Sequence, residues 1–265
     1  MSTTWKDLTN NSNDGTLVNF SSPSTANSGW DGSTPVTSPS RLKFDGTDDY
    51  IQFNTPFIFN QNMDASIQCW INFSNANIHK PILWGNNQAG NSINRFHLAT
   101  DTNGYIGLDY VDPASNLHCL INIPSSPQNL CPFDPNMSQS PQVQTGEWTN
   151  IAISRSGNTY SIYKNGIFAG QAIDSSPSLP TSTGWKIGAR ELAGWYLNAS
   201  LSSFRGYNKA LSASEIKQNF DTEYNLDLFL TRHAGFSWVQ EIHSKPLQVV
   251  SLLPYLQVHP YDTAP

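Results

Sequence analysis

The dipeptide Asn165-Gly166, set between two alternating runs, most constrains what this chain can fold into. A two-residue Asn-Gly loop favours a type I′ turn, which needs φ > 0 at both central positions and matches the twist of a β-hairpin. Upstream, Ser156-Gly157-Asn158 supplies a second turn. The stretch from Gly146 to Ala172 therefore reads as three short antiparallel strands. Within it Ile151 and Ile153 point one way, with Ala152 and Ser154 the other. Tyr160 and Ile162 likewise oppose Ser161 and Tyr163. A period of two marks strands with one core face and one wetter face.

The same punctuation recurs along the chain. RLKFDGTDDYIQF is a strand pair turning at Asp45-Gly46, and ASIQCWINF alternates through Ile67, Cys69 and Ile71. PILWGNN, RFHLAT and YIGLDY are further short strands, and GWKIGAR and LNASLSSFRGY follow the hairpins. The exception is LSASEIKQNF, where Ser212 and Glu215 stand at capping-box spacing and start a helix. About a dozen short strands with almost no helix mean a β-sandwich or barrel, and periodicity does not choose between them. Residues 112–144 hold six prolines and read as one long loop. From about residue 225 the chain becomes rich in Leu, Val and His.

Composition excludes several functions. Charged residues are 13% of the 265, and the net charge of −6 comes without a Lys/Arg cluster, which argues against a nucleic-acid partner. No apolar run is long enough to span a membrane, so no membrane insertion is expected. MSTTWKDLTNN has neither a basic nor an apolar leader region. Cys69, in an apolar strand, is expected as a buried free thiol. Cys119 and Cys131 bracket a Pro/Ser/Asn-rich loop, where a disulfide and two reduced thiols are both open readings.

Five segments in order carry a family resemblance. They are Trp5 to Asn19, Leu42 to Ile51, GEWTNIAISRSGNTYSIYKNG, KIGAR and SSFRGYNKALSASEIKQNF. Together, over residues 3–224, they resemble the laminin-G-like group of the concanavalin A-like lectin/glucanase superfamily. The terminal motifs are also similar to virion-associated members from tailed phages, cyanophages especially. The resemblance implies an all-β fold, a two-sheet antiparallel jelly-roll sandwich, here with one short C-terminal helix. It places the sandwich over 1–224 and leaves 225–265 as a tail that adds strands or docks on a partner. Residues 246–253 are expected to supply a strand that many relatives carry before their first motif.

The resemblance also implies a module binding a glycan or a virion or cell-surface protein, with a homo-oligomer as an option; because the superfamily includes glucanases, an enzyme has to be tested against the residues. The expected setting is a virion, assembled in the host cytoplasm. A bacterial adhesion or carbohydrate-binding module, extracellular or at the cell surface, is the rival reading, and a polysaccharide-degrading glucanase or lyase a third. Retaining glycosidases need two carboxylates about 5–5.5 Å apart. Glu147, Glu191, Glu215, Glu223 and Glu241 have no acidic partner at the glucanase spacing, and no G-x-S-x-G elbow occurs. An enzyme is therefore not expected.

Two places suit a saccharide, which wants an exposed ring for its apolar face and polar groups for its hydroxyls. One is WGNN, with Trp84 and Asn86, beside Arg95 and His97 on the next strand. The other is the loop holding Arg190, Trp195 and Tyr196. Trp84 and Trp195 fit an open stacking ring and a packed filler equally, whereas Trp70 and Trp148 are expected in the core. Function is expected in the loops 84–97, 112–144 and 188–197. Calcium, a hard cation taking oxygen ligands, is expected at Asp45 with Asn13 or Asp14 from an adjoining loop.

Overall fold

The computed structural model describes residues 4–9, 11–21, 25, 27–31, 41–53, 64–86, 94–121, 141–174, 184–190 and 194–232. In chain order the strands are β1 (Thr4–Trp5), β2 (Gly15–Val18), β3 (Gly29–Asp31), β4 (Arg41–Asp45), β5 (Tyr50–Phe53), β6 (Ala65–Phe73), β7 (Lys80–Asn86) and β8 (Arg95–Thr100). They continue as β9 (Ile106–Val111), β10 (Leu117–Ile121), β11 (Trp148–Ser156), β12 (Thr159–Lys164), β13 (Ile167–Ile173), β14 (Gly184–Ile187) and β15 (Asn198–Tyr207), and the chain then enters helix α1 (Ala213–Arg232).

Two antiparallel sheets form a jelly-roll sandwich. One has eight strands in the order β1-β2-β5-β14-β7-β8-β9-β10, the other seven in the order β13-β12-β11-β6-β15-β4-β3. The hairpins read from the sequence form β11, β12 and β13. Asn165 (φ 52°) and Gly166 (φ 74°) take the left-handed conformation a type I′ turn requires, and Lys164 pairs with Ile167 across it.

The core lies between the sheets. Ile67, Cys69, Ile71, Ile151, Ile153, Tyr160 and Ile162 come from the seven-stranded side. Ile51, Leu83, Phe96, Leu98, Leu108, Tyr110, Trp185 and Ile187 face them from the eight-stranded side. Each buried aliphatic or aromatic side chain removed from water contributes roughly 1.5–3 kcal/mol, which makes this layer the main source of stability. Cys69 is a free, buried thiol, and burial pushes its pKa up to about 12, with Glu223 adding to the shift. It is held inert, as the sequence suggests.

The face expected to be wetter is instead covered. Ala152 and Tyr163 pack with Leu211 and Ile216 under α1. The Ser66 and Ser154 hydroxyls donate to the carbonyls of Lys209 and Leu211, seating the segment before the helix. Gln68 donates to Asn150 and to the Ile216 carbonyl and accepts from Asn219. The capping box is present: the Ser212 N–H donates to the Glu215 carboxylate (2.9 Å) and the Glu215 N–H to the Ser212 hydroxyl (3.3 Å). Trp70, expected in the core, lies on this outer face, where it stacks on Phe220 at 5.3 Å. Its position in β6 is opposite in parity to Cys69 and Ile71, so the pleat turns it outward. Trp148 is likewise only half-buried.

Three further expectations are revised or fall elsewhere. Residues 112–144 are not one loop, because Leu117–Ile121 pairs with β9 as an edge strand. This edge meets β13 of the other sheet, where the Tyr110 hydroxyl and His118 both bond Asp174. The helix runs on to Arg232, past residue 224. The proposed strand at 246–253 lies outside the described residues. Among those residues no helix is long and apolar enough to cross a membrane.

Candidate functional site

The outer face of the eight-stranded sheet gathers most of the residues singled out in the sequence. Trp84, His97 and Asp109 stand opposite one another on β7, β8 and β9, and Asn86 stands opposite Arg95 one pleat on. Neighbours of the other parity, Leu83, Phe96, Leu98 and Tyr110, enter the core. Gly85 belongs to this register. A Cβ there would sit 2.8 Å from the Trp185 ring, so the bare backbone gives Trp185 its place in the core. WGNN is therefore strand through Asn86 rather than a turn, and Trp185 is a core residue.

Trp84 is neither an open platform nor a filler between the sheets. It is 2% exposed but on the outer face, roofed by the loop after β14. That loop closes tightly: the Arg190 N–H donates to the Trp195 carbonyl (3.1 Å) and the Leu197 N–H to the Gly188 carbonyl (2.8 Å). Gly188 holds φ 89°, and a Cβ there would lie 2.6 Å from the Phe44 ring. The closure sets the Arg190 guanidinium 4.7 Å from the centroids of both Trp84 and Trp195. A cation between two indole faces is attracted by both ring quadrupoles, about 0.5–2 kcal/mol each. His79 meets Trp195 edge to face at 4.7 Å, and Lys80 donates to the Gly194 carbonyl at 3.4 Å. Tyr196 is tied through a backbone bridge to Ala189; the ring contacts of the cluster run through Trp195.

Beneath this roof lies a buried ionic group. Arg95 donates to Asp109 at 2.5 Å, and His97 Nδ1 lies 3.1 Å from the other Asp109 oxygen. Burial works against the Asp109 charge, but His97 and Arg95 outweigh it and hold its pKa down to about 2. The ionised carboxylate only accepts, so His97 Nδ1 carries the hydrogen and Nε2 presents a lone pair. Burial keeps His97 neutral. Burial, then the crowding of His97 and Arg190, pushes His79 down to about 3. Trp84 Nε1, Arg95 Nε and His97 Nε2 are buried with no hydrogen-bond partner among the described residues. Buried polar atoms are normally satisfied by protein or water, so three unsatisfied in one cluster depart from the usual pattern of a folded interior.

The sequence reading singled out Trp84, Asn86, Arg95 and His97 at one place and Arg190, Trp195 and Tyr196 at another; the structure joins Trp84 with Arg190 and Trp195, and the reading missed His79, Lys80 and Asp109. Asp109 carried a signal, a carboxylate between Leu108 and Tyr110 in an apolar strand, where a charge needs a buried partner.

The expected calcium ligands do not converge. β2 and β5 pair with Gly15 opposite Phe53 and Val18 opposite Tyr50, so Asn13 and Asp14 lie at the far end of that pair from Asp45. Asp14 is occupied by Lys6 and the Asp7 N–H, and the Asn13 N–H donates to Asp7. From β2 it is Asn19 that reaches the β4–β5 turn, donating to the Asp48 carbonyl. Within the turn, Asp45, Asp48 and Asp49 bring carboxylate oxygens within 4.8 Å of one another. These three fit a hard cation; the pair from the first loop does not.

A sequence profile of the laminin-G-like family, described as the concanavalin A-like lectin/glucanases superfamily, matches residues 45–217, well over half of the chain. The chain belongs to this superfamily. The match runs from β4 almost to the start of α1's second turn and contains the whole Trp84 cluster. No curated protein sequence matches the chain.

Solved structures share the superfamily fold at low identity. Domain 4 of an extracellular arabinanase from Geobacillus stearothermophilus, in complex with arabinotriose, is 13% identical with a TM-score of 0.51, covering 77% of this chain and 86% of that one. Trypanosoma rangeli sialidase, in complex with the inhibitor DANA, is 14% identical with a TM-score of 0.53 over 83% of this chain. The binding domain of botulinum neurotoxin serotype D is 18% identical with a TM-score of 0.51 over 80%. The chain spans only 31% of the sialidase and 47% of the neurotoxin domain.

Proposed function

We propose that this protein is a non-catalytic binding module that holds a glycan at the Trp84–Arg190–Trp195 cluster. The observation that carries the reading is the indole–guanidinium–indole stack set over buried polar atoms that lack protein partners. Trp195 and Arg190 are half-buried at its rim and offer ring surface and donors to an arriving saccharide. The arabinanase domain, whose structure holds arabinotriose, supports the reading at the level of the fold. The non-catalytic reading is supported by the engagement of Glu215 with Lys209 and of Glu223 with Arg205. The virion setting is supported by the resemblance of the terminal motifs alone.

A glycan array probed with the wild-type chain and with Trp195→Ala tests this. Retention of at least one saccharide family, lost in the variant at unchanged melting temperature, is expected. No retained glycan, together with tight capture by a virion or cell-surface protein, would refute the lectin reading in favour of protein docking. Release of reducing sugar from a polysaccharide would restore the enzyme. Mass spectrometry of purified particles tests the virion setting.

A further inference from the structure

Helix α1 covers only part of the sheet it lies on. Over the middle strands it seals Ala152, Tyr163, Leu211 and Ile216. At the edge strand β13 the cover stops. Phe168 stands opposite Tyr163 and Ile173 opposite Thr159, both on the helix side of the sheet, and each is more than half exposed. Ile167, beside the Asn165-Gly166 turn, is exposed as well. On α1, Phe220 closes over Gly166, and Tyr224, stacked on Phe220, faces solvent. Single exposed apolar residues are ordinary, whereas a group on one flank marks a surface that something covers.

The backbone on this flank is open too. β13 ends the seven-stranded order, and among the described residues its only ladder is with β12. Ile167–Ile173 holds neither charge nor proline, the usual guards of a free edge. The ladder shifts register between Ile162 and Tyr163, which puts a bulge in the edge strand. A bulged edge resists a strand arriving from a second copy. It favours one held at high local concentration by its own chain.

The chain carries such a strand. α1 heads for this flank, with Ile216 at Gln68 and Phe220 at Trp70 and Gly166, and it ends at Arg232. In the sequence that follows, LQVVSLL (residues 247–253) is an uncharged run of aliphatic residues bounded by Pro246 and Pro254. Proline donates no ladder bond, so the two prolines limit a strand to these seven residues, the length of β13. Extended, the stretch between Arg232 and Pro246 reaches up to about 45 Å, roughly twice the length of a seven-residue strand. The run can therefore return along the edge.

We infer that residues 247–253 add to the free edge of β13 as an eighth strand of that sheet and lay aliphatic side chains over Phe168 and Ile173. The occupant is the chain's own tail. The strand expected at 246–253 thereby has a neighbour in the fold, on the sheet that does not carry the Trp84 cluster.

Hydrogen–deuterium exchange on the full chain, read peptide by peptide, tests the inference. The comparison is the double variant Val249→Pro, Val250→Pro. Neighbouring residues donate to opposite sides of a strand, so one of the two prolines falls on the ladder side whatever the register. Peptides covering 247–253 and β13 are expected to exchange at least about tenfold more slowly in the wild type than in the variant. Ile173→Lys, placed in β13, should speed exchange of the tail peptide in the same direction. Tail residues that exchange as fast in the wild type as in the double variant would overturn the inference. So would protection of β13 that the double variant leaves intact. Protection that fades on dilution, together with a dimer mass in light scattering, would overturn it in favour of a second copy.

Discussion

Replacing His79 with phenylalanine should reduce the acid sensitivity of the fold. The phenyl ring can keep the edge-to-face contact with Trp195 while removing the titrating nitrogen atoms. In the folded protein, burial together with His97 and Arg190 lowers the His79 pKa from 6.5 to about 3. The unfolded chain therefore takes up a proton below pH 6.5 that the folded chain refuses. The stabilising contribution is fully present above pH 6.5 and is lost as pH falls towards about 3. At about pH 5 the difference amounts to roughly 2 kcal/mol for a fully buried group. His79 is partly exposed, and solvent screening reduces this to about 1 kcal/mol. His97 contributes with the same sign and remains in the variant. Asp109, held near 2, stays ionised across this window. Urea unfolding of both proteins at about pH 7 and about pH 5 measures the effect, and the variant should lose about 1 kcal/mol less than the wild type. Equal losses in the two proteins would show that His79 is not held neutral under the Arg190 loop.

Gly85→Ala should destabilise the sandwich by about 1–3 kcal/mol, because the new methyl would meet the Trp185 ring at 2.8 Å in a filled core; a thermal melt unchanged from wild type would contradict the packing described. Calcium bound at the β4–β5 turn would raise the melting temperature of the wild type and not of Asp49→Asn, whereas scans with calcium and with chelator that coincide would remove the ion from Asp45, Asp48 and Asp49.

The parts of the fold legible in the sequence are those set by local rules. Asn165-Gly166 dictates its turn because few residues tolerate φ > 0, and alternation fixes which of Ile151 and Ala152 share a face. Ser212 and Glu215 mark where α1 begins, because the cap is made within four residues. Alternation does not say whether the second face is wet. Ala152 and Tyr163 meet α1, which lies some fifty residues further along the chain. Trp84 shows the same limit. Its outer face is closed by Arg190 and Trp195, more than a hundred residues downstream, so local pattern offered only an open ring or a core filler. The calcium set failed for a similar reason. Asp14 and Asp45 flank strands that belong to one neighbourhood, but antiparallel register places them at opposite ends of it.

Helix α1 gives the molecule a direction. It lies on the outer face of the seven-stranded sheet, held by Gln68, Trp70 and Tyr163 beneath it. On that side a visitor meets a helix rather than strands. The outer face of the other sheet carries the Trp84 cluster, beyond the full thickness of the core. Attachment through the helix side would leave the face carrying the Trp84 cluster pointing outward. Any label or linker placed on the exposed Lys217–Asp221 face of α1 should likewise leave the Trp84 cluster clear.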